Sequence, residues 1–156
     1  MKTIVVYYSY TSNTKRLVDQ IIERYHYDCV EIEPVKAYSD DYQKVVDEAE
    51  KLVPQDDQPA IKNIDVDFSK YDRVILATPV WWYTVASPVN TFLHQYDLKD
   101  LVVIPLATNG GWLGHTFKDI GSLTNATIES PLSVKFNGND LVSEKEFNEW
   151  LERLEK

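Results

Sequence analysis

The sequence predicts an α/β fold, in which helices cover both faces of a doubly wound, five-stranded parallel sheet to give three layers. Short apolar runs alternate with amphipathic helical patterns along the whole chain. This alternation is typical of parallel strands joined by helical crossovers. Several of the apolar runs are continuous, which indicates strands buried on both faces. A common order for five such strands is 2-1-3-4-5, with ligands bound at the carboxyl ends of strands 1 and 3.

Length and composition indicate a single domain over residues 1–156. Hydrophobic residues make up 44% of the chain, which is enough for a substantial core. The net charge of −9 argues against a nucleic-acid partner, because such interfaces need a basic face. No apolar run approaches the ~20 residues that cross a bilayer, so no membrane association is expected. Cys29 is the single cysteine, and no targeting segment precedes the first strand, so we expect a cytoplasmic protein.

Five segments have the length and composition of strands. They are residues 4–8, 29–32, 73–77, 101–107 and 131–136. The second strand ends at Pro34, and Cys29 within it is expected to be a buried, inert thiol. The last strand alternates between apolar and polar side chains, as expected for one wetter face. Between the second helix and the third strand, residues 53–72 show no period and form either a working loop or a variable excursion.

Helical periodicity separates these strands. The apolar positions of the first and fourth helices are Leu17, Val18, Ile21, Ile22 and Tyr25, and Leu113, Phe117 and Ile120. The second helix is expected over residues 40–52. Ser87 and Pro88 predict the N-cap and the first residue of the third helix. The last helix is expected to open with a capping box of Ser143 and Glu146.

Polar side chains follow the first strand in the segment Ser9-Tyr10-Thr11-Ser12-Asn13-Thr14. Between a buried strand and a helix N-terminus, such a loop can surround a phosphate with side-chain oxygens and free backbone N–H groups. Serine, threonine and asparagine are also the preferred helix caps, and the loop alone supports both interpretations equally. It lacks the GxxxxGK[ST] pattern and contains no lysine or arginine. If it binds phosphate, a permanently bound phosphate monoester suits it better than a nucleoside triphosphate.

Aromatic side chains follow the third strand in the segment Thr78-Pro79-Val80-Trp81-Trp82-Tyr83. Successive side chains diverge, so three consecutive aromatic rings cannot all point into one core. We expect one ring to pack over the neighbouring helix and at least one other to stack on a ring-shaped ligand.

Glycines follow the fourth strand in the segment Thr108-Asn109-Gly110-Gly111-Trp112-Leu113-Gly114-His115, which holds three of the chain's five glycines. Glycine lets a ligand approach the backbone closely. A tight strand-to-helix turn alone would use one glycine. The carboxyl ends of parallel strands meet at one edge of the sheet, so the three loops together predict a site for a planar ring carrying a phosphate tail.

With these loops the sequence strongly resembles the flavodoxin family, which binds FMN. The resemblance spans nearly the whole chain and is most specific in residues 8–14, 71–82, 89–93 and 108–111. It implies a flavodoxin-like fold in which the first loop holds the FMN phosphate. Trp81 or Trp82 would lie against the isoalloxazine, and residues 108–111 would contact its pyrimidine side. The predicted cofactor-binding residues are Ser9, Tyr10, Thr11, Ser12, Asn13, Thr14, Thr78, Pro79, Val80, Trp81, Trp82, Tyr83, Thr108, Asn109, Gly110, Gly111 and Gly114.

Two residues depart from the family pattern, because relatives usually carry glycine where Ser12 stands and many carry glycine where Tyr83 stands. If the first position needs a positive φ, Ser12 would cost about 1 kcal/mol. At the second position a flipping glycine peptide often responds to flavin reduction in relatives. Tyr83 puts that response in doubt here.

The resemblance implies a low-potential electron carrier. A cation-free phosphate loop and an acidic surface disfavour added negative charge on the flavin, which lowers its reduction potential. We expect transient docking to redox partner proteins with a basic face, and a monomer or homodimer. One alternative is an FMN-dependent NAD(P)H:quinone-type oxidoreductase, with a pocket shaped by Tyr83, His115 and residues 53–72. Another is an interaction domain that has lost FMN.

Overall fold

A computed structural model describes residues 1–155, which form one sheet with helices on both faces. The strands are β1 (Thr3–Tyr7), β2 (Asp28–Glu31), β3 (Arg73–Trp81), β4 (Thr84–Val85), β5 (Val102–Asn109), β6 (Thr127–Ile128), β7 (Leu132–Asn137) and β8 (Asp140–Leu141). The helices are α1 (Ser12–Tyr25), α2 (Tyr42–Leu52), α3 (Ser87–Gln95), α4 (Thr116–Thr124) and α5 (Glu144–Arg153). Single 3₁₀ turns cover Val53–Gln55 and Phe68–Lys70.

The parallel strands run in the order β2-β1-β3-β5-β7 across the sheet. These are the five predicted strands, so the predicted order 2-1-3-4-5 is confirmed. Within β1, Val5 pairs with Cys29 of β2 and with Ile75 of β3. Because strand order reverses at β1, a crevice opens beyond the carboxyl ends of β1 and β3.

Alternate residues of β1 pack into two hydrophobic cores on opposite faces of the sheet. Ile4 and Val6 belong to a core that α3 and α4 cover, and Val5 belongs to one that α1 and α5 cover. In the second core Phe147 and Trp150 stack at a centroid distance of 5.9 Å. Burying one large apolar side chain contributes about 1.5–3 kcal/mol. Because each core contains many such side chains, the two cores hold the sheet, and with it the edge that carries the loops, in a fixed position.

Two short hairpins extend the sheet beyond the predicted strands. β3 continues past Ala77 to Trp81 and pairs antiparallel with β4. β7 turns at Gly138 and Asn139 and pairs antiparallel with β8. Two strands pair with the same edge of β5: β6 pairs with its start, and β7 pairs with its end.

Cys29 is exposed, so the prediction of a buried thiol was wrong. The reason is its position on β2, an edge strand whose residues are exposed or half-buried. Although the residue is exposed as a whole, its sulfur is partly shielded from water, and this desolvation, followed by the nearby carboxylates Asp19 and Glu31, raises the pKa of Cys29 to about 11. At neutral pH the thiol is therefore protonated and a poor nucleophile.

The predicted helix starts need two corrections. Ser143 precedes α5 but makes no capping bond, so the capping box with Glu146 was wrong. Its Oγ instead accepts a hydrogen bond from the Lys135 backbone N–H at 3.0 Å, because the chain folds back against β7. At α3 the N-cap is Ala86, one residue earlier than predicted, and Ser87 and Pro88 lie inside the first turn.

Residues 53–72 form an ordered excursion. Ile61 bridges to Pro34, and Ile61, Ile64 and Phe68 are buried in the core beneath α3. Within residues 1–155, no helix is both long enough and apolar enough to cross a membrane.

Candidate cofactor cavity

A cavity of about 610 Å³ lies at the carboxyl ends of β1, β3, β5 and β7. We call it the first cavity. Its lining residues are Tyr10, Thr11, Asn13, Asp40, Tyr42, Pro79, Val80, Trp81, Thr108, Asn109, Gly110, Phe136, Gly138 and Asn139. All three predicted loops contribute, so the expected convergence of the loops at one sheet edge is present.

The N-terminus of α1 forms one end of the first cavity. Thr11 is the N-cap, and its Oγ1 accepts the Asn13 N–H at 3.4 Å. Ser9 Oγ accepts the Lys15 N–H at 3.2 Å. Within residues 1–155 the backbone N–H groups of Ser12 and Thr14 make no hydrogen bond. The loop is thus both a helix cap and a source of free donors at the positive end of a helix dipole.

Ser12 carries no backbone strain. It is the first residue of α1 and has no positive φ, so the 1 kcal/mol penalty considered for serine does not arise.

A buried hydroxyl pair joins the first loop to the third. Thr14 Oγ1 and Thr108 Oγ1 are 2.7 Å apart, and both side chains are buried. Nearby, Asn109 Nδ2 donates to Ser133 Oγ at 2.8 Å, and Asn109 Oδ1 accepts the Gly111 N–H at the same distance. These bonds fix α1, β5 and the glycine segment relative to one another.

Trp81 forms the aromatic wall of the first cavity. Its ring meets Tyr8 and Tyr38 edge-on, at centroid distances of 5.7 Å and 5.2 Å. Tyr10 is 6.5 Å from Trp81 and 6.2 Å from Tyr42. Burial, followed by the neighbouring Tyr38 and Tyr10 hydroxyls, raises the pKa of Tyr8, which stays a neutral phenol. The cluster holds Trp81 rigidly at the cavity surface.

Trp82 and Tyr83 occupy the two central positions of the β3–β4 hairpin. Their φ values are 45° and 68°, the signs of a type I′ turn, which normally selects asparagine and glycine. Trp82 leans onto α2, where its Nε1 donates to the Val46 carbonyl at 3.1 Å. This is the ring expected to pack over a helix, and Trp81 is the one that faces the first cavity.

Gly114 supports Tyr83 from the other side. A Cβ at Gly114 would lie 2.3 Å from both Cβ and O of Tyr83, and its φ is +61°. The His115 N–H donates to the Tyr83 carbonyl at 2.8 Å. Gly114 therefore positions the hairpin and lies outside the lining of the first cavity.

A second cavity of about 450 Å³ lies on the other side of the hairpin. Trp82 and Thr84 line it together with Asp119, whose Oδ2 accepts hydrogen bonds from Thr84 Oγ1 and contacts His115 Nδ1. Its other lining residues are Val53, Pro54, Asp56, Asp57, Val85, Ser87, Asn90, His115, Ser122 and Leu123. Asn90 Nδ2 donates to Asp56, and this bond is the main reason that the pKa of Asp56 lies below its usual value.

The sequence matches the flavodoxin family model over residues 2–154. The chain belongs to the flavodoxin family. This match confirms the family resemblance on which the expectation of FMN rests. No curated protein sequence matches the chain.

Solved structures share the flavodoxin fold over nearly the full length of this chain. A flavoprotein from Bacteroides uniformis ATCC 8492 has 22% identity and a TM-score of 0.78, covering 97% of this chain and 98% of its own. A flavoprotein from Lactobacillus acidophilus NCFM, solved in complex with FMN, has 22% identity and a TM-score of 0.75, covering 96% and 97%. A flavoprotein from Bacteroides eggerthii DSM 20697 has 24% identity and a TM-score of 0.73, covering 97% and 96%.

The predicted site residues fall into two groups. Those that line the first cavity are Tyr10, Thr11, Asn13, Pro79, Val80, Trp81, Thr108, Asn109 and Gly110. Those that lie outside its lining are Ser9, Ser12, Thr14, Thr78, Trp82, Tyr83, Gly111 and Gly114. Several of the second group support the first through hydrogen bonds; Thr78 Oγ1, for example, accepts the Ala86 N–H at 3.2 Å beneath the hairpin.

Sequence reasoning missed five lining residues, which are Asp40, Tyr42, Phe136, Gly138 and Asn139. Gly-Asn between two strand-like segments is a recognised hairpin signal, so the β7–β8 turn could have been found. Asp40 in the β2–α2 connection and Tyr42 at the start of α2 both follow Ser39, whose carbonyl O accepts the Tyr10 hydroxyl. That tertiary contact has no local signature.

Proposed function

We propose that the first cavity binds FMN and that the protein is a low-potential electron carrier. The observation that supports this most is the pairing, in one cavity, of a helix N-terminus with an aromatic wall. The volume of about 610 Å³ lies within the range of roughly 300–1,000 Å³ of small-molecule sites. When bound, FMN supplies the electron-transfer chemistry, and the protein supplies position and electrostatics.

The residues present fit a phosphorylated ring. The free N–H groups of Ser12 and Thr14, with the Thr11 hydroxyl and the Asn13 amide, suit a phosphate. Trp81 offers a rigid apolar surface for the ring. The lining segment Thr108–Gly110 would contact the polar edge of the heterocycle.

Charge supports a low reduction potential. Asp40 is the single charged residue among those that line the first cavity in the described chain. The whole chain carries a net charge of −9. Both disfavour additional negative charge in the site. The same acidic surface favours transient docking of partners with a basic face, for which exposed Trp112 and Tyr42 offer apolar contact area.

The second cavity favours one alternative, an FMN-dependent oxidoreductase with NAD(P)H or a quinone as substrate. It adjoins the β3–β4 hairpin, and its lining residues Val53, Pro54, Asp56, Asp57 and His115 come from the segments expected to shape such a pocket. Its charge opposes nicotinamide cofactors, because Asp56, Asp57 and Asp119 would repel their phosphates. A carrier is therefore the better-supported function, and a neutral quinone is the better-supported substrate of the alternative.

An interaction domain without FMN has less support. Ser12 fits α1 without strain, which leaves Tyr83 as the single departure in its favour.

One titration series separates these functions. The purified protein, saturated with FMN, is titrated electrochemically and then mixed with NADPH in the absence of any reductase. A midpoint potential below that of free FMN, with no reduction by NADPH, supports the carrier. A potential well above that of free FMN contradicts it, and rapid reduction by NADPH assigns the protein to the oxidoreductases.

A further inference from the structure

The second cavity carries a negative charge. Its lining includes the carboxylates of Asp56, Asp57 and Asp119, and among the described residues that line it none is a lysine or an arginine. The basic side chain of the lining is His115, and its Nδ1 is bound to Asp119. Outside the lining, His94 Nε2 lies 4.0 Å from Asp56 Oδ2. The N-terminus of α3 adds about half a positive charge, so the carboxylates dominate the charge of the cavity at neutral pH.

One of these carboxylates has no partner. Asp56 Oδ1 accepts a hydrogen bond from Asn90 Nδ2 at 2.8 Å, and Asp119 Oδ2 accepts one from Thr84 Oγ1 at 2.5 Å. Within residues 1–155 the half-buried Asp57 carboxylate makes no hydrogen bond and no ion pair, and only its backbone O is bonded. A carboxylate that is partly shielded from water and left unpaired is stabilised by a nearby cation.

The Ser87 hydroxyl is a second unpaired group in this cavity. Ser87 lines the cavity although its side chain is only 3% exposed. It caps no helix, because the N-cap of α3 is Ala86, and within residues 1–155 its Oγ makes no hydrogen bond. Every fully buried side-chain oxygen and nitrogen in that range has a partner. The Ser87 Oγ therefore opens onto the cavity, where a ligand N–H can supply the hydrogen bond that the protein does not.

The remaining walls suit an organic cation. Trp82 lines the cavity, its ring is held by the bond from Nε1 to Val46 O, and an indole ring attracts cations. The apolar side chains Val53, Pro54 and Leu123 also line it. Within residues 1–155, no group of three or more histidine, cysteine, aspartate or glutamate side chains is placed to hold a metal ion. A volume of about 450 Å³ falls in the range of roughly 300–1,000 Å³ of small-molecule sites.

We propose that the second cavity binds an aliphatic diamine, a flexible methylene chain with an ammonium group at each end. A single ammonium group cannot balance three carboxylates, and these come from two parts of the chain. Asp56 and Asp57 follow the 3₁₀ turn Val53–Gln55, whereas Asp119 lies on α4. The methylene chain would contact the apolar walls, and Ser87 Oγ would accept an ammonium N–H. This inference goes beyond the proposed electron-carrier function and does not rest on it.

The test is an NMR titration of the full-length protein, with and without FMN. The probes are cadaverine, pentylamine and the corresponding five-carbon diol, which share one chain length and carry two, one and no ammonium groups. The variants are Asp57→Asn and Ser87→Ala, each of which leaves the hydrogen bonds of the protein in place. Asp65→Asn is the matched control, because it removes the same charge from an exposed position outside the cavity. Circular dichroism checks the fold of each variant.

We expect cadaverine to bind saturably, to shift the Trp82 indole N–H signal and to bind at least about tenfold more tightly than the diol. Pentylamine should lie between the two. Asp57→Asn should weaken cadaverine binding about tenfold and Ser87→Ala about threefold, since a bond between charged groups is worth more than one to a neutral hydroxyl. Asp65→Asn should change it by less than about twofold.

Three results would overturn the inference. They are the absence of saturable shifts at the cavity residues, equal affinity for cadaverine and the diol, and equal effects of Asp57→Asn and Asp65→Asn. Pentylamine that binds as tightly as cadaverine would contradict the need for two ammonium groups, and would point to single ammonium groups such as lysine side chains. Failure of the unmodified protein to bind FMN would contradict the proposed function while leaving this inference intact.

Discussion

Gly114 and Gly138 have the same φ of +61° but different surroundings. A Cβ at Gly114 would meet Tyr83 at 2.3 Å, whereas nothing lies within 4 Å of one at Gly138. Gly114→Ala should therefore lower the free energy of unfolding by about 2–4 kcal/mol through clash and backbone strain together. Gly138→Ala should cost about 1 kcal/mol, from the backbone alone. Urea unfolding of the apo-protein measures both, and equal losses would show that the contact with Tyr83 is unimportant.

Thr14 and Thr108 offer a second test at the residue scale. Each buried hydroxyl has the other as its partner at 2.7 Å. Thr14→Val should destabilise the protein by about 1–3 kcal/mol, because it leaves the Thr108 hydroxyl buried without that partner. Thr108→Val alone should cost a similar amount, and the double variant should cost less than the sum of the two. Additive losses in urea unfolding would contradict the coupling.

At the scale of elements, Trp82 ties the β3–β4 hairpin to α2. Trp82→Phe keeps an aromatic ring but removes the donor to Val46 O, and should cost about 0.5–1.5 kcal/mol. Trp112→Phe is the matched control, because Trp112 is 68% exposed and makes no side-chain hydrogen bond within residues 1–155. Thermal unfolding compares the stability of the two variants. If Trp112→Phe destabilises the protein as much as Trp82→Phe, the hydrogen bond to Val46 does not stabilise the hairpin.

The sequence predicted the elements whose physical signals are local. Continuous apolar runs marked β1, β3 and β5, which are buried on both faces. The β3–β4 hairpin carried no signal, because Trp82 and Tyr83 occupy positions that usually select asparagine and glycine. Cys29 was placed wrongly because its short strand is an edge strand, which composition alone does not reveal.

The site residues divide in the same way, into those with a local signal in the sequence and those whose position depends on tertiary contacts. Loops that leave parallel strands at their carboxyl ends must meet, so nine predicted residues line one cavity. The contributions of Asp40 and Tyr42 depend on how the β2–α2 connection crosses the sheet edge. That crossing is set by tertiary contacts such as the one between Tyr10 and Ser39.

At the scale of the whole molecule, the fold brings the N-terminus of α1 and the aromatic wall of Trp81 into one cavity, which we propose is the FMN site. Titrating the apo-protein with FMN while following flavin fluorescence tests this most directly. We predict saturable, stoichiometric binding with strong quenching of the fluorescence, because Trp81 lines the cavity and would lie against the bound ring. FMN fluorescence that stays unchanged on addition of the protein would contradict the account.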